Sequence, residues 1–196
     1  MKVIAVTDRK RCIRGLMEQV RLIVEAGADM VVLREKDLDH DEYLALASEV
    51  RAVCEDNGVE FCINTFSDIA SEMGVDTVWI PYHDLVENGR PGIGRVGVSV
   101  HSEREAYDAS DRGADFVVYG NVFETTCKPG LEGRGFDEIR MISVNSDIPV
   151  YAIGGIDVGN MQQVHDCMVD GVCIMSGFMT ADDPSVIVRK ARTLLE

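Results

Sequence analysis

Eight short apolar runs, most of them separated by an amphipathic stretch, constrain this chain more than any other feature of its sequence. They are VIAV (3–6), MVVL (30–33), EFCI (60–63), TVWI (77–80), RVGVSV (95–100), DFVVYG (115–120), PVYAIG (149–154) and GVCIM (171–175). Between most of them lie segments such as GLMEQVRLIVEAG, DEYLALASEVRAVCEDNG, SEREAYDASDRG and NMQQVHDCMV, whose apolar residues recur at helical spacing and which often end at glycine. Strands alternating with helices pair in parallel through right-handed crossovers, and eight such units close as a (β/α)8 barrel; a doubly wound open sheet is the alternative. The chain has 196 residues, fewer than the roughly 250 of a typical barrel, so its helices and loops must be short. SDIASEMG, the third crossover, has room for barely two turns. No linker or low-complexity tract interrupts the pattern, so residues 1–196 are expected to form one domain, a single compact TIM barrel.

AGAD (26–29) and RGAD (112–115) each precede a strand, and VDG (169–171) stands in the equivalent place before the last. These are expected to be helix-to-strand turns with a left-handed glycine, on the face of a barrel that serves stability rather than chemistry.

The formal net charge is -15, from 19 basic and 34 acidic residues, which argues against nucleic acid or an anionic membrane as partner. No apolar run reaches the length of a membrane span, and MKVIAVTDRKR lacks the order of a signal peptide, so a cytoplasmic location is expected. The six cysteines are scattered without a CxxC pair and read as reduced thiols. The aliphatic helix faces permit a homodimer.

In a barrel, the residues just after each strand lie at the catalytic face. Thr7 and Asp8 come after the first run, Arg34, Glu35 and Lys36 after the second, and Asn64 and Thr65 after the third. Tyr82, His83 and Asp84 come after the fourth; Ser99, His101 and Ser102 stand at the end of the fifth. The sixth leads into the glycine-rich loop GNVFETTCKPGLEGRG (120–135), the seventh into Gly154 and Gly155, and the eighth into Ser176 and Gly177. Glycines at the last two places let backbone N–H groups approach an anion, and a short helix beginning near Ser176 adds its positive end, so Gly154, Gly155, Ser176 and Gly177 are candidates to hold phosphate. Arg34, Lys36, Lys128 and Arg134 bring positive charge from two distant loops to the same rim, which suits a ligand with more than one anionic group.

The series VTD, LREKDL, IN, GVSVHS, FETTCKPGLEGRG, AIGGI and MSG, in that order, resembles the thiamine-phosphate synthase and TenI superfamily over nearly the whole chain. The loop is more similar to TenI, the thiazole tautomerase, than to the synthase, where a PTxTK pattern is usual. The resemblance implies a thiazole phosphate carboxylate as ligand. Gly154, Gly155, Ser176 and Gly177 would hold its phosphate, and Arg34, Ser99 and Lys128 would face the rest, with Lys36, Asn64, Asn121 and Thr125 as further binding residues.

The chain departs from the family patterns in two places. TenI sequences carry the proton-transfer histidine two places before FET, where this chain has Asn121, an amide that cannot take up a proton near neutral pH. Synthases have Asn-Asp after the third strand and Asp after the fourth, which hold Mg2+ and a diphosphate; this chain has Asn64-Thr65 and keeps only Asp84. Lys36 favours the synthase, whereas Val32 stands where synthases usually carry glutamine.

The tautomerase reading, which the sequence favours, needs no cofactor and a substitute base, for which His101, His83 and Cys127 are candidates. The synthase, which couples an aminopyrimidine diphosphate to the thiazole phosphate, would need Mg2+ with Asp84 as a ligand. The third alternative is a regulator that binds a thiazole or thiamine phosphate without turnover.

Overall fold

A computed structural model describes residues 1–124 and 133–194. Its eight strands are β1 (Lys2–Val6), β2 (Met30–Leu33), β3 (Glu60–Asn64), β4 (Thr77–Pro81), β5 (Arg95–Val100), β6 (Phe116–Gly120), β7 (Val150–Ile153) and β8 (Gly171–Ile174). Each pairs in parallel with the next, and β8 returns to β1 with Cys173 opposite Ile4, closing a (β/α)8 barrel. The described helices are α1 (Leu16–Glu25), α2 (His40–Asp56), α3 (Ser67–Met73), α4 (Tyr82–Asn88), α5 (Glu103–Asp111), α6 (Asp137–Asn145), α7 (Met161–His165), α8 (Ser176–Met179) and α9 (Ser185–Thr193).

Local chemistry explains where these elements begin. Asp39 caps α2 by accepting from the Glu42 amide at 2.9 Å while Glu42 accepts from the Asp39 amide at 3.3 Å, a reciprocal capping box. The buried residues Tyr43, Ala47, Val50 and Cys54 then recur on one face of that helix. Ser102 caps α5 through the Glu105 amide at 3.2 Å.

The turns expected at AGAD and RGAD are present, with Gly27 and Gly113 at positive φ. The VDG site differs. Gly171 already lies in β8, and the left-handed residue is Met168 at φ 61°, so α7 stops at His165 instead of filling NMQQVHDCMV. Cys167, the residue before it, is buried.

Two apolar layers arise from the period of the strands. Residues such as Val3, Ala5, Val31, Leu33, Ile63, Val78 and Val98 face outward and pack against the helices. Ile4, Val6, Met30, Val32, Cys62, Trp79, Phe116, Val118, Tyr151 and Cys173 point inward and fill the barrel. Burial of each large aliphatic side chain contributes about 1.5–3 kcal/mol. The inner layer needs a gap on β5: a Cβ at Gly97 would lie 2.0 Å from the Phe116 ring, so glycine there lets Phe116 reach across. No helix among the described residues is long and apolar enough to cross a membrane.

Candidate active site

One step beyond the inner apolar layer, the inward positions change character. Cys62 is followed two residues on by Asn64, Trp79 by Pro81, Gly97 by Ser99, Val118 by Gly120, Tyr151 by Ile153 and Cys173 by Met175. The second member of each pair lines a cavity of about 180 Å3 over the C-terminal ends of the strands. Residues just beyond the strands complete its wall: Arg34, Lys36, Thr65, His101, Asn121, Gly154, Gly155, Ile156 and Ser176.

Hydrogen bonds hold the polar wall in one arrangement. Trp79 Nε1 donates to Ser99 Oγ at 2.7 Å, so the Ser99 hydroxyl keeps its own proton for another acceptor. Asn64 Nδ2 donates to the Trp79 carbonyl at 2.8 Å, and Thr65, at φ 75°, brings its Oγ1 to 3.4 Å from Asn64 Oδ1. His101 Nδ1 lies 2.6 Å from the Gly120 carbonyl. A carbonyl only accepts, so Nδ1 carries the proton and the neutral ring leaves Nε2 as its basic nitrogen. The His101 amide donates to Glu105 Oε2 at 2.7 Å, which fixes the start of α5 beneath the ring.

The wall formed by β7 depends on glycine. Gly154 and Gly155 have φ of 110° and 64°, and a Cβ on Gly154 would lie 2.8 Å from Asn121 Cα. These two residues thus admit the chain that leaves β6, whose Val122 and Phe123 amides donate to the Ile153 and Gly154 carbonyls at 3.0 and 3.1 Å. Among the described residues the Gly155 amide has no backbone acceptor. Buried Asn121 is held in the same corner, its carbonyl accepting from the Arg134 amide at 2.9 Å.

Charge at this face is sorted by direction. Asp8 accepts from Arg11 at 3.0 Å, and Glu35, 3% exposed, accepts from both the Arg9 amide and its guanidinium at 3.0 Å. Asp37 pairs with Arg9 at 2.7 Å and Lys10 at 2.8 Å. The Arg9 hydrogen bond holds the Asp37 carboxyl well below the usual carboxylate range. Arg34, in contrast, makes no ion pair among the described residues; its Nη1 meets only the Met175 sulfur, at 3.8 Å. Its amide is tied to buried Thr7 Oγ1 at 2.9 Å, which orients the residue from the end of β1.

The structure therefore gathers Arg34, Lys36, Asn64, Ser99, His101, Asn121, Gly154, Gly155 and Ser176 around one cavity. It does not bring His83, Asp84 or Gly177 there. His83 and Asp84 lie in the first turn of α4; the His83 side chain is 70% exposed and its Nε2 contacts Asp84 at 3.2 Å. Gly177 lies one residue into α8 and packs toward Ile174 and Ile187. Thr125, Cys127 and Lys128 lie outside the described residues. Trp79, Pro81, Ile153, Cys173 and Met175 line the cavity although the strand-end pattern does not single them out. Most of them are reached by counting in twos along each strand; looking only past the strand ends skips them. Burial raises the Cys173 thiol far above its ordinary range, so it is a neutral wall group.

A divalent cation of the magnesium type needs oxygen ligands, chiefly carboxylates. Among the described residues that line the cavity there is no Asp or Glu, the turn after β3 offers one amide and one hydroxyl, and Asp84 contacts its neighbouring histidine outside it. No three described His, Cys, Asp or Glu residues converge as a metal cluster. The described residues do not fit a magnesium site.

Fold and cavity together define a closed parallel barrel with a cation-rimmed cavity at its C-terminal face. The chain belongs to the thiamine monophosphate synthase family, whose sequence model matches residues 3–178. It is 33% identical over 187 residues to the thiamine-phosphate synthase of Thermus thermophilus, covering 94% of this chain and 89% of that protein. It is 32% identical over 200 residues to the Pyrococcus abyssi thiamine-phosphate synthase, covering 100% of this chain and 95% of that one. Among solved structures, thiamine phosphate pyrophosphorylase from Pyrococcus furiosus superimposes with a TM-score of 0.85 at 27% identity, covering 99% of this chain and 95% of that one. The superfamily suggested by the motifs is thus correct. These relatives carry the name of the synthase, the alternative in the sequence reading, and not that of the tautomerase.

Proposed function

We propose that the chain acts, as one domain over residues 1–196, as a thiamine-phosphate synthase. It joins the ring nitrogen of a thiazole phosphate to the methylene carbon of an aminopyrimidine diphosphate. The C–N bond forms as the C–O bond to the diphosphate breaks, and pyrophosphate leaves with the bonding electron pair. The observation that carries this reading is Arg34, a guanidinium on the cavity wall that ion-pairs with no described carboxylate. Arg34 and Lys36 suit the diphosphate, whose negative charge grows as the bond breaks. Gly154, Gly155 and Ser176 suit the thiazole phosphate through backbone N–H groups. Ser99 offers its hydroxyl proton to a ring heteroatom between them, because its oxygen already accepts from Trp79.

One observation favours a second reading, thiazole tautomerisation. His101 stands beside Gly120, immediately before Asn121, with Nε2 as its basic nitrogen, so the base missing at position 121 has a neighbour able to move a proton.

The deciding experiment supplies both phosphorylated halves and quantifies thiamine phosphate by thiochrome fluorescence, beside a proton NMR time course of the thiazole carboxylate tautomer. Thiamine phosphate well above the blank is the expected result. Tautomer conversion that disappears in His101→Gln, with no coupling, would replace the first reading by the second. No acceleration in either assay, with the ligands still bound, would sink both in favour of a binding protein.

A further inference from the structure

We propose that this chain balances the negative charge of its ligand with Arg34 and Lys36 and holds no divalent cation of its own. The inference rests on the cavity being the site of a phosphorylated ligand. It comes from where the carboxylates at this face have gone.

Asp8 is bound to Arg11 at 3.0 Å, Glu35 to Arg9 at 3.0 Å, and Asp37 to Arg9 and Lys10 at 2.7 and 2.8 Å. Asp84 contacts His83 at 3.2 Å and does not line the cavity. Asp8, Glu35 and Asp37 are therefore satisfied by a side chain of their own loop or by that of the neighbouring strand, and Asp84 stands outside the cavity wall. After β3, where an acid would face the cavity, Thr65 supplies a neutral hydroxyl directed at Asn64 Oδ1. Asn64 donates through Nδ2 to the Trp79 carbonyl, which leaves its Oδ1 as a single neutral amide oxygen.

The cations are distributed in the opposite sense. Arg9, Lys10 and Arg11 are drawn into those pairs, while Arg34 lines the cavity and, among the described residues, its guanidinium meets the Met175 thioether and no carboxylate. A hydrated divalent cation brought to this wall meets positive charge and no described carboxylate, so nothing on the protein offsets its partial dehydration. An anion meets a guanidinium already oriented through Thr7. The sorting needs both halves of the loop after β2: Glu35 points away into Arg9, and the residues on either side of it, Arg34 and Lys36, line the cavity.

Inorganic pyrophosphate is the probe, titrated calorimetrically into the full chain in excess EDTA and again in magnesium at matched pyrophosphate. Trp79 is the only tryptophan of the chain and lines the cavity, so its fluorescence reports whether the anion enters there. The expected result is saturable binding in EDTA, a dissociation constant within about threefold in magnesium, and a weakening of about tenfold or more in Arg34→Gln, the order of one charge-assisted hydrogen bond. In parallel, Mn2+ followed by electron paramagnetic resonance should show no saturable site on the ligand-free chain. Binding that requires magnesium, or a Mn2+ site that Asp84→Asn abolishes, would overturn the proposal while leaving the anion pocket standing. Absence of pyrophosphate binding in both buffers would remove the pocket reading and this inference with it.

Discussion

The two ends of the barrel use the same residue types in opposite ways. At the N-terminal end, Asp29, Asp115 and Asp170 each accept from the first amide, or one next to it, of a neighbouring strand: Val3 at 2.6 Å, and Val96 and Val150 at 2.8 Å. Glu60, at the start of β3, takes Lys2 at 3.1 Å, the Thr77 hydroxyl at 2.9 Å, and Arg95 in a close ion pair. Arg95 also lies over the Phe116 ring, 5.4 Å from its centroid. Charge there is matched within the protein. At the C-terminal end Asp8, Glu35 and Asp37 are matched outside the cavity and Arg34 is left lining it. Pairing stabilises a structure and consumes the charge; a binding face must leave some of its charge for the ligand.

That contrast can be broken most severely at Arg34. Arg34→Ala should lower turnover about a hundredfold or more, the scale of a lost transition-state charge contact, while the melting temperature stays within a few degrees. A steep fall in thermal stability with activity retained would put Arg34 in the same class as Arg95. The converse variant is Glu60→Ala, which strands Lys2 and Arg95. Because these groups are partly exposed, the expected loss is about 1–3 kcal/mol in denaturant melts, with the KM of the folded enzyme unchanged.

A smaller effect is expected at Asp29. Asp29→Ala removes the acceptor of the Val3 amide and the partner of Arg192 at 2.8 Å, and should cost about 1–2 kcal/mol without altering ligand affinity. Smallest of all is the exposed Asp37. Its folded pKa is depressed, chiefly by the Arg9 hydrogen bond, so its contribution is present above the unfolded value of about 3.9 and lost as pH falls through the lower folded value. Melting temperatures measured from pH 6 downward should therefore drop less steeply, by a small margin, in Asp37→Asn than in the parent. A steeper drop in the variant would reverse the sign of that linkage.

The barrel was legible because its signals are local. Strand period, amphipathic spacing and the turn glycines Gly27 and Gly113 are all written within short windows of sequence, and each agrees with the others. The site was legible by half. Strand-end position pointed to Arg34, Ser99, His101 and the Gly154-Gly155 turn. It gave no means of separating His101 from His83, since both are histidines shortly after a strand. The difference is that two residues separate the end of β5 at Val100 from α5, Ser102 caps that helix and His101 reaches the Gly120 carbonyl, whereas α4 begins at once after Pro81 and leaves His83 in solvent.

The sequence by itself determined the alternation of elements and the positions of the strand-end loops, because backbone periodicity and turn chemistry depend on neighbours along the chain; closure of β8 on β1 instead of an open sheet belongs to the tertiary structure. The tertiary structure alone decided which charges are spent on one another and which remain. Arg9 and Arg34 are the same residue type on adjacent strand-end loops, yet Arg9 closes on Glu35 and Asp37 while Arg34 lines the cavity. Ion pairing falls off with distance between groups brought together by folding, and those distances exist only once β1 lies beside β2.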